Sequence, residues 1–354
     1  MNEQMFRNLA SGQTRGIAAS CLRATLLGAS WAYGFGVGVR NSLFDSGWKS
    51  IQRVTVPVFS LGNITTGGTG KTPLVALVCQ LLQESDRRPG IVSRGYRSVD
   101  GDANDEKLVL NILCPGVPHE QNPDRVAAAN SLISTDRVDA IVMDDGFQHR
   151  RLRRDLDIVL IDATNPFGYG HLLPRGLLRE PLMSLRRADV VVITRSDLVG
   201  EQVLSEIERS ILNAAPKLKN RILQVVFQPT VLRAADGNKI SIQSVADQPV
   251  HLMAGIGNPD AFLETTRRIP MQVTGTSWFA DHHHYSQEDL SQVRANALES
   301  GAGKIITTLK DLVKLPKGCE DVLALEIAAV FPNPQHLEVL RDLLNGAVRQ
   351  PSAP

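Results

Sequence analysis

The chain has no surplus of either charge, few cysteines and no repeated or low-complexity tract, and each shortage narrows what it can be. Its 38 Lys and Arg against 37 Asp and Glu leave a formal net charge of +1. That balance gives no basic footprint for nucleic acid, so no nucleic-acid partner is expected. The four cysteines, Cys21, Cys79, Cys114 and Cys319, are scattered without a C-x-x-C pair. This argues for a reducing compartment and against both a disulfide frame and a zinc site. No signal peptide is expected, because the apolar N-terminal run has no small-residue cleavage site and its aromatics continue past it. At 354 residues the chain is long for one core, and two domains are expected.

What is present is organised around Phe59-Ser60-Leu61-Gly62-Asn63-Ile64-Thr65-Thr66-Gly67-Gly68-Thr69-Gly70-Lys71-Thr72. An apolar run from Val54 precedes it and a helix-like run, Leu74 to Leu82, follows. Strand, glycine-rich turn and helix start form the context of a phosphate-binding loop. Residues Thr65, Thr66, Gly67, Gly68, Thr69, Gly70, Lys71 and Thr72 are therefore the expected nucleotide cradle, with free N–H groups at the helix start aimed at phosphate oxygens. Lys71 would reach the β- and γ-phosphates and Thr72 would hold Mg²⁺, making ATP and Mg²⁺ the expected cofactors. The strict G-x-x-x-x-G-K-[ST] pattern requires glycine at 65, where this chain has Thr65.

Strand-like runs at Val54–Ser60, Gly90–Ser93, Leu108–Leu113, Val138–Met143, Leu156–Ile161 and Val190–Thr194 alternate with helix-like runs at Thr72–Leu82, Arg125–Ile133 and Glu201–Ala214. Such alternation predicts a parallel sheet covered on both faces, with ligands at the carboxyl ends of the strands. Asp144-Asp145-Gly146 directly after an apolar strand reads as a Walker B element, an acid facing Mg²⁺ across from the loop threonine. The composition changes near residues 222–240, and a second alternating set follows, from His251–Met253 to Gln335–Leu344. The expected fold is α/β: a P-loop NTPase-like three-layer α/β/α domain and a smaller α/β C-terminal domain joined by a short two-stranded linker, with the active site in the cleft between them. The expected boundaries are an N-terminal helical segment 1–45, a core domain 46–222, a linker 223–240, a second domain 241–349 and a tail 350–354.

Between Arg15 and Arg40 the only charge is Arg23, among Ala, Gly, Leu, Ser, Val and aromatics. A helix here could lie on a membrane surface, be buried, or span. Trp31, Tyr33 and Phe35 with the flanking arginines favour the surface. In the second half, Asp281-His282-His283-His284 is too compact for a metal set, since adjacent histidines cannot all face one ion. It either forms a polar loop or offers a histidine to the cleft as proton carrier.

Taken together, these segments resemble the tetraacyldisaccharide 4'-kinases, the lipid A kinases of Gram-negative bacteria. The resemblance rests on the loop Gly62 to Pro73, Ser93-Arg94-Gly95-Tyr96, Asp144 to His149, Leu173-Pro174-Arg175-Gly176 and Leu178-Arg179-Glu180. It continues through Ala254 to Pro259, Phe279-Ala280-Asp281-His282 and Thr308-Leu309-Lys310-Asp311, in family order over nearly the whole chain. It implies transfer of the ATP γ-phosphate to the 4'-hydroxyl of a tetraacylated glucosamine disaccharide 1-phosphate, with an N-terminal helix touching the inner membrane. The expected partners are that lipid A precursor and the membrane surface, the expected location the cytoplasmic face of the inner membrane, and the expected state a monomer. By motif position, Lys71 and Thr72 hold phosphate and Mg²⁺, and Asp144 or Asp145 with Glu180 complete the metal shell. Arg94, Tyr96, His149 and Arg179 lie near phosphates or substrate. The family's catalytic carboxylate maps to Asp105, with Asp102 as competitor, and its histidine partner to His282. Leu309 stands where the family usually has glutamate. Two rivals remain: a P-loop GTPase, because Thr194-Arg195-Ser196-Asp197 resembles a guanine reader, and a family member without catalysis.

Overall fold

The computed structural model describes residues 3–95, 104–281 and 283–349; Tyr96, Asp102 and His282 lie outside the described residues. Two helices open the chain, α1 (Glu3–Ser11) and α2 (Ile17–Asp45). The first half continues through β1 (Val58–Asn63), α3 (Lys71–Glu84), β2 (Pro89–Ser93), α4 (Asp105–Leu113), β3 (His119–Gln121), α5 (Arg125–Thr135), β4 (Ala140–Asp144), β5 (Leu156–Asp162), β6 (Val190–Thr194) and α6 (Glu201–Ala214). The second half contains β7 (Ile222–Ala234), β8 (Lys239–Ile240), β9 (Pro249–Ala254), α7 (Pro259–Thr266), β10 (Gln272–Trp278), α8 (Gln287–Glu299), β11 (Lys304–Thr308), α9 (Leu309–Leu312), β12 (Val322–Val330) and α10 (Pro334–Arg349).

The strands form one sheet in the order β10-β9-β11-β12-β7-β6-β5-β1-β4-β2-β3, with β8 pairing β7 off this path. Every residue of β1, β2, β4 and β6 is buried. That is what continuous apolar runs produce when helices cover both faces of a parallel sheet. Pairing of Leu61 with Asp144 across β1 and β4 puts the β4 carboxylates beside the outlet of the phosphate loop. Short polar side chains fix the helix starts. Asp124 accepts from the Val126 and Ala127 amides, and Ser286 with Asp289 forms a capping box.

One sequence expectation is overturned. Leu108–Leu113 is the end of helix α4 and not a strand. The Asn104 side chain caps the Lys107 amide, Asp105 and Glu106 occupy the first turn, and Val109 and Leu110 are buried. A short apolar run fits either element, and here the acidic, capped start decides for helix. Residues 223–240, the expected linker, hold most of β7 and all of β8; β7 pairs in parallel with β6 through residues 222–225 and antiparallel with β12 from Val226 onward, so one strand belongs to both halves. The last helix packs on the first half. Leu340 and Leu344 of α10 join the core formed by Leu74, Val78 and Leu82 of α3, and Arg341 pairs with Glu84 at 2.7 Å.

This placement of α10 gives a stability prediction. Leu340 is fully buried, so Leu340→Ala is expected to cost about 2–5 kcal/mol, the range for a leucine truncated in a packed core. Urea unfolding measures it. A loss well under about 1 kcal/mol would mean that α10 is not part of the phosphate-loop core.

Candidate active site

The phosphate loop leaves β1 at Asn63 and enters α3 at Lys71. Gly70 takes a left-handed φ of 80°, and a Cβ there would collide with the Phe227 ring. A Cβ at Gly62 would lie 2.6 Å from the backbone nitrogen of Phe147. The glycine at 62 therefore lets β1 pass against the segment that follows Asp144 and Asp145. Thr65 needs no such freedom, since it is buried and bridges Leu178 while the Thr66 amide donates to the Leu177 carbonyl at 2.8 Å. The chain's departure from the strict loop pattern thus follows from pairing with the 177–179 segment.

Lys71 rests 3.1 Å from Asn63 Oδ1 and 3.4 Å from Asp145. Arg179 donates from Nη1 to both Asp145 oxygens, at 3.0 and 2.9 Å. Burial would push the Asp145 carboxyl up, but Lys71 and Arg179 outweigh it and hold the group at about 2. Its neighbour is opposite in character. Asp144 is buried, its Oδ1 has no hydrogen-bond partner, and burial followed by the nearby Glu106 carboxylate raises it to about 7. Two adjacent carboxylates are thus set apart by environment: Asp145 is neutralised by cations already present, and Asp144 is short of one. The buried hydroxyl of Thr69 in the loop likewise has no partner. An orphaned carboxylate oxygen one strand from the loop suits Mg²⁺, which takes one or two carboxylates together with phosphate oxygens and water. Among the described residues no cluster of three acidic, histidine or cysteine ligands exists, so no all-protein metal cage competes with this arrangement.

Glu180, expected in the metal shell, is wholly buried in a cage of its own, 2.9 Å from Arg187, 2.8 Å from Asn41 and 3.3 Å from Arg40. Burial would raise its carboxyl, yet Arg187, Asn41 and Arg40 prevail and hold it below the ordinary range. Both oxygens are engaged, so the residue fastens α2 to the core. His149 was expected near the phosphates or the substrate. It packs by the cations Arg125 and Arg154, its Nε2 is buried without a partner, and burial followed by those cations lowers it to about 4. It is a neutral imidazole at physiological pH. Arg94 is exposed beside Gly95.

Asp105 opens α4, and Lys310 of α9 lies 3.9 Å from its carboxylate. Leu309, where the resemblance leads one to expect glutamate, is buried against Val109 of α4 and Ala324 of β12. An apolar side chain there packs the two halves together where Asp105 sits. Asp311 was quoted in the sequence without a role. Its fully buried carboxylate accepts from Tyr285 Oη at 2.9 Å, from the Gly255 amide at 3.1 Å and from Thr308 Oγ1 at 2.7 Å. It thereby ties together three second-half motifs, including the loop that carries His282. His283 stacks on Phe279 and bonds Asp289 at 3.1 Å, a structural arrangement.

The guanine-reader resemblance has a structural explanation. The Thr194 hydroxyl and Arg195 guanidinium donate to the carbonyls of Thr69 and Gly68, at 2.9 and 3.0 Å, and Asp197 is paired with Arg268. The segment buttresses the phosphate loop and leaves no free carboxylate to read a base.

The Asp144 environment predicts a pH-dependent stability in metal-free protein. The unfolded carboxyl ionises near its ordinary value, while the folded one keeps its proton up to about 7. The stabilisation is complete below the unfolded value and lost as pH rises through the folded one. Asp144→Asn should therefore melt higher than wild type at about pH 8, with the gap closing as pH falls to about 4. A melting series against pH checks it, and equal melting temperatures across the range would contradict the buried-acid assignment.

Comparison with known proteins agrees with this geometry. A model of the family described as tetraacyldisaccharide-1-P 4'-kinase matches residues 22–345. The tetraacyldisaccharide 4'-kinase of Syntrophus aciditrophicus (strain SB) is 36% identical over 305 residues, covering 80% of this chain and 82% of that one. That of Anaeromyxobacter sp. (strain Fw109-5) is 37% identical over 313 residues, 83% of each. In three dimensions the chain resembles LpxK from Aquifex aeolicus, an "apo" form crystallised in complex with ATP. The TM-score is 0.74 at 28% identity, over 92% of this chain and 99% of that one. With the loop, the paired carboxylates and the second-half motifs all in place, the chain belongs to the tetraacyldisaccharide-1-P 4'-kinase family.

Proposed function

We propose that this chain transfers the γ-phosphate of ATP to the 4'-hydroxyl of a tetraacylated glucosamine disaccharide 1-phosphate, working as a monomer on the cytoplasmic face of the inner membrane. The observation that carries the reading is the juxtaposition of Lys71, held by Asn63 and Asp145, with the unpaired Asp144 carboxylate at the ends of β1 and β4. Phosphoryl transfer passes through a loose transition state with charge on the transferred oxygens, so placement and cations do most of the catalysis. Lys71 is the mobile cation: an incoming phosphate draws it from Asp145, and Arg179 keeps that carboxylate compensated. Thr72 and Asp144 would hold Mg²⁺, which supplies further charge neutralisation when bound. Asp105, with Lys310 3.9 Å away, would accept the hydroxyl proton, with His282 as its partner. Asp102 stays the competitor for that role.

The N-terminal helices fit a lipid substrate. Among the described residues no helix is long and apolar enough to cross a membrane. Yet α2 presents Trp31, Phe35 and Val39, four residues apart and therefore on one face, at 72%, 76% and 43% exposure. Its opposite side is fixed to the core: Ser30 donates to the Leu172 carbonyl, Tyr33 to the Arg179 carbonyl, and Arg40 and Asn41 to Glu180. The helix that would lie on the bilayer thus touches the residue that holds Asp145.

Labelled γ-phosphate from ATP should appear on a tetraacyl disaccharide 1-phosphate in detergent micelles with Mg²⁺. Lys71→Ala should lower the rate by roughly 10²–10³-fold or more, as for other lost transition-state charges. Asp105→Ala should lower kcat by about 10²–10⁴-fold with little change in KM for ATP, the usual worth of a general base. If Asp102→Ala does this instead, the base is Asp102. Labelled GTP serving better than ATP would overturn the kinase reading. Phe35→Ser should weaken vesicle binding about ten- to hundredfold, the worth of burying one phenyl side chain. Unchanged binding would remove α2 from the membrane.

A further inference from the structure

The start of α4 is tied to the sheet through one side chain, Gln121. It is the last residue of β3 and pairs in parallel register with Ser93, the last residue of β2. Its amide meets Asn104, the residue immediately before Asp105. Gln121 Nε2 donates to Asn104 Oδ1 at 2.7 Å, and the Asn104 backbone N–H donates to Gln121 Oε1 at 3.4 Å. Asn104 Oδ1 also accepts from the Lys107 amide at 3.0 Å and so caps the helix. Gln121 Nε2 donates further to Ser93 Oγ at 3.3 Å, and Ser93 Oγ lies 2.8 Å from His119 Nε2. Burial followed by Lys107 lowers His119 to about 4, so every member of this chain of hydrogen bonds is uncharged at neutral pH.

An amide oxygen has two lone pairs, and Asn104 spends one on the helix it caps and the other on the sheet. Asp105, the first residue of α4, is thereby placed from two sides. The Gln121–Asn104 pair holds its backbone from the first half, and Lys310 of the second half lies 3.9 Å from its carboxylate. A Cβ at Gly95 would lie 3.2 Å from Gln121 Cβ, so the backbone that leaves β2 rests on the same residue. A general base has to come within about 2.6–3.2 Å of the proton it takes, and a misplacement of about 1 Å costs on the order of 100-fold. Gln121 belongs to none of the segments that carry the family resemblance, and only the fold brings it to Asp105.

We propose that Gln121 is a positioning residue for phosphoryl transfer, acting through Asn104 to set the Asp105 carboxylate against the acceptor hydroxyl. The proposal rests on the reading of Asp105 as the base, and the experiment separates the two. Steady-state kinetics with ATP and the tetraacyl disaccharide 1-phosphate in detergent micelles would be measured for wild type, Gln121→Met, Gln121→Glu, Asp105→Ala and the double variant Gln121→Met with Asp105→Ala. Methionine is of similar length and keeps the packing on Gly95 without the amide. Gln121→Met should lower kcat by about 10–100-fold, as for a misplaced catalytic group, with KM unchanged for both substrates. Gln121→Glu keeps the acceptor Oε1 and loses the donor Nε2; it should show the same drop, and is a polar second test if methionine disturbs folding. On top of Asp105→Ala, Gln121→Met should cost nothing further, because residues that act as a unit are not additive. Wild-type kcat in both single Gln121 variants would mean an idle amide pair. The same loss repeated on top of Asp105→Ala would mean that Gln121 acts elsewhere in the fold. A raised KM for the disaccharide at unchanged kcat would make Gln121 a substrate contact. Each of these three overturns the proposal and leaves the base reading standing. Asp105→Ala with wild-type kcat would overturn both.

Discussion

The structure depends on how one lysine is compensated. Lys71 begins α3 with its charge inside the protein, and Asn63 and Asp145 receive it. Because Asp145 is also clamped by Arg179, the loop, the end of β4 and the 177–180 segment are fixed relative to one another by a single chain of charges. Such a network is strong only while each member has its partner. Its polarity matters for chemistry. The carboxylate that faces the lysine is fully ionised, and the one behind it, Asp144, is left needing a cation that the protein does not supply.

Much of this was legible in the sequence because local rules and the global fold agree there. The phosphate loop, the Asp144-Asp145 pair and most strands and helices of both halves lie where periodicity and turn chemistry put them. The failures have physical causes. At α4, six residues of apolar sequence carry too little periodicity, and the decisive signal was the polar cap before them. For α10, the pattern marked a helix correctly, but an amphipathic face does not state which core it joins. Glu180 carries a motif position, whereas two of its partners, Arg40 and Asn41, are far away in sequence. Long-range ion pairs of this kind leave no trace in spacing.

The departures from the family pattern are also readable once packing is known. Thr65 pairs in extended form with Leu178, so glycine is not required there, whereas Gly62 must let Phe147 approach. Leu309 fills a contact between α9 and α4. In both cases a position that looks like a lost functional residue is a solved packing problem.

The strand shared by both halves has a mechanical consequence. β7 and β12 form an antiparallel pair that reaches from one half of the sheet into the other, with a bulge between Glu326 and Ile327 opposite Pro229. Proline cannot donate to the ladder and a bulge adds twist, so this two-stranded ribbon is softest at its middle. Relative movement of the halves is then torsion of a ribbon and not the swing of a free loop. A torsion spring returns to its resting angle, so such an enzyme would reopen by elastic recoil after each closure, without a separate latch to be released.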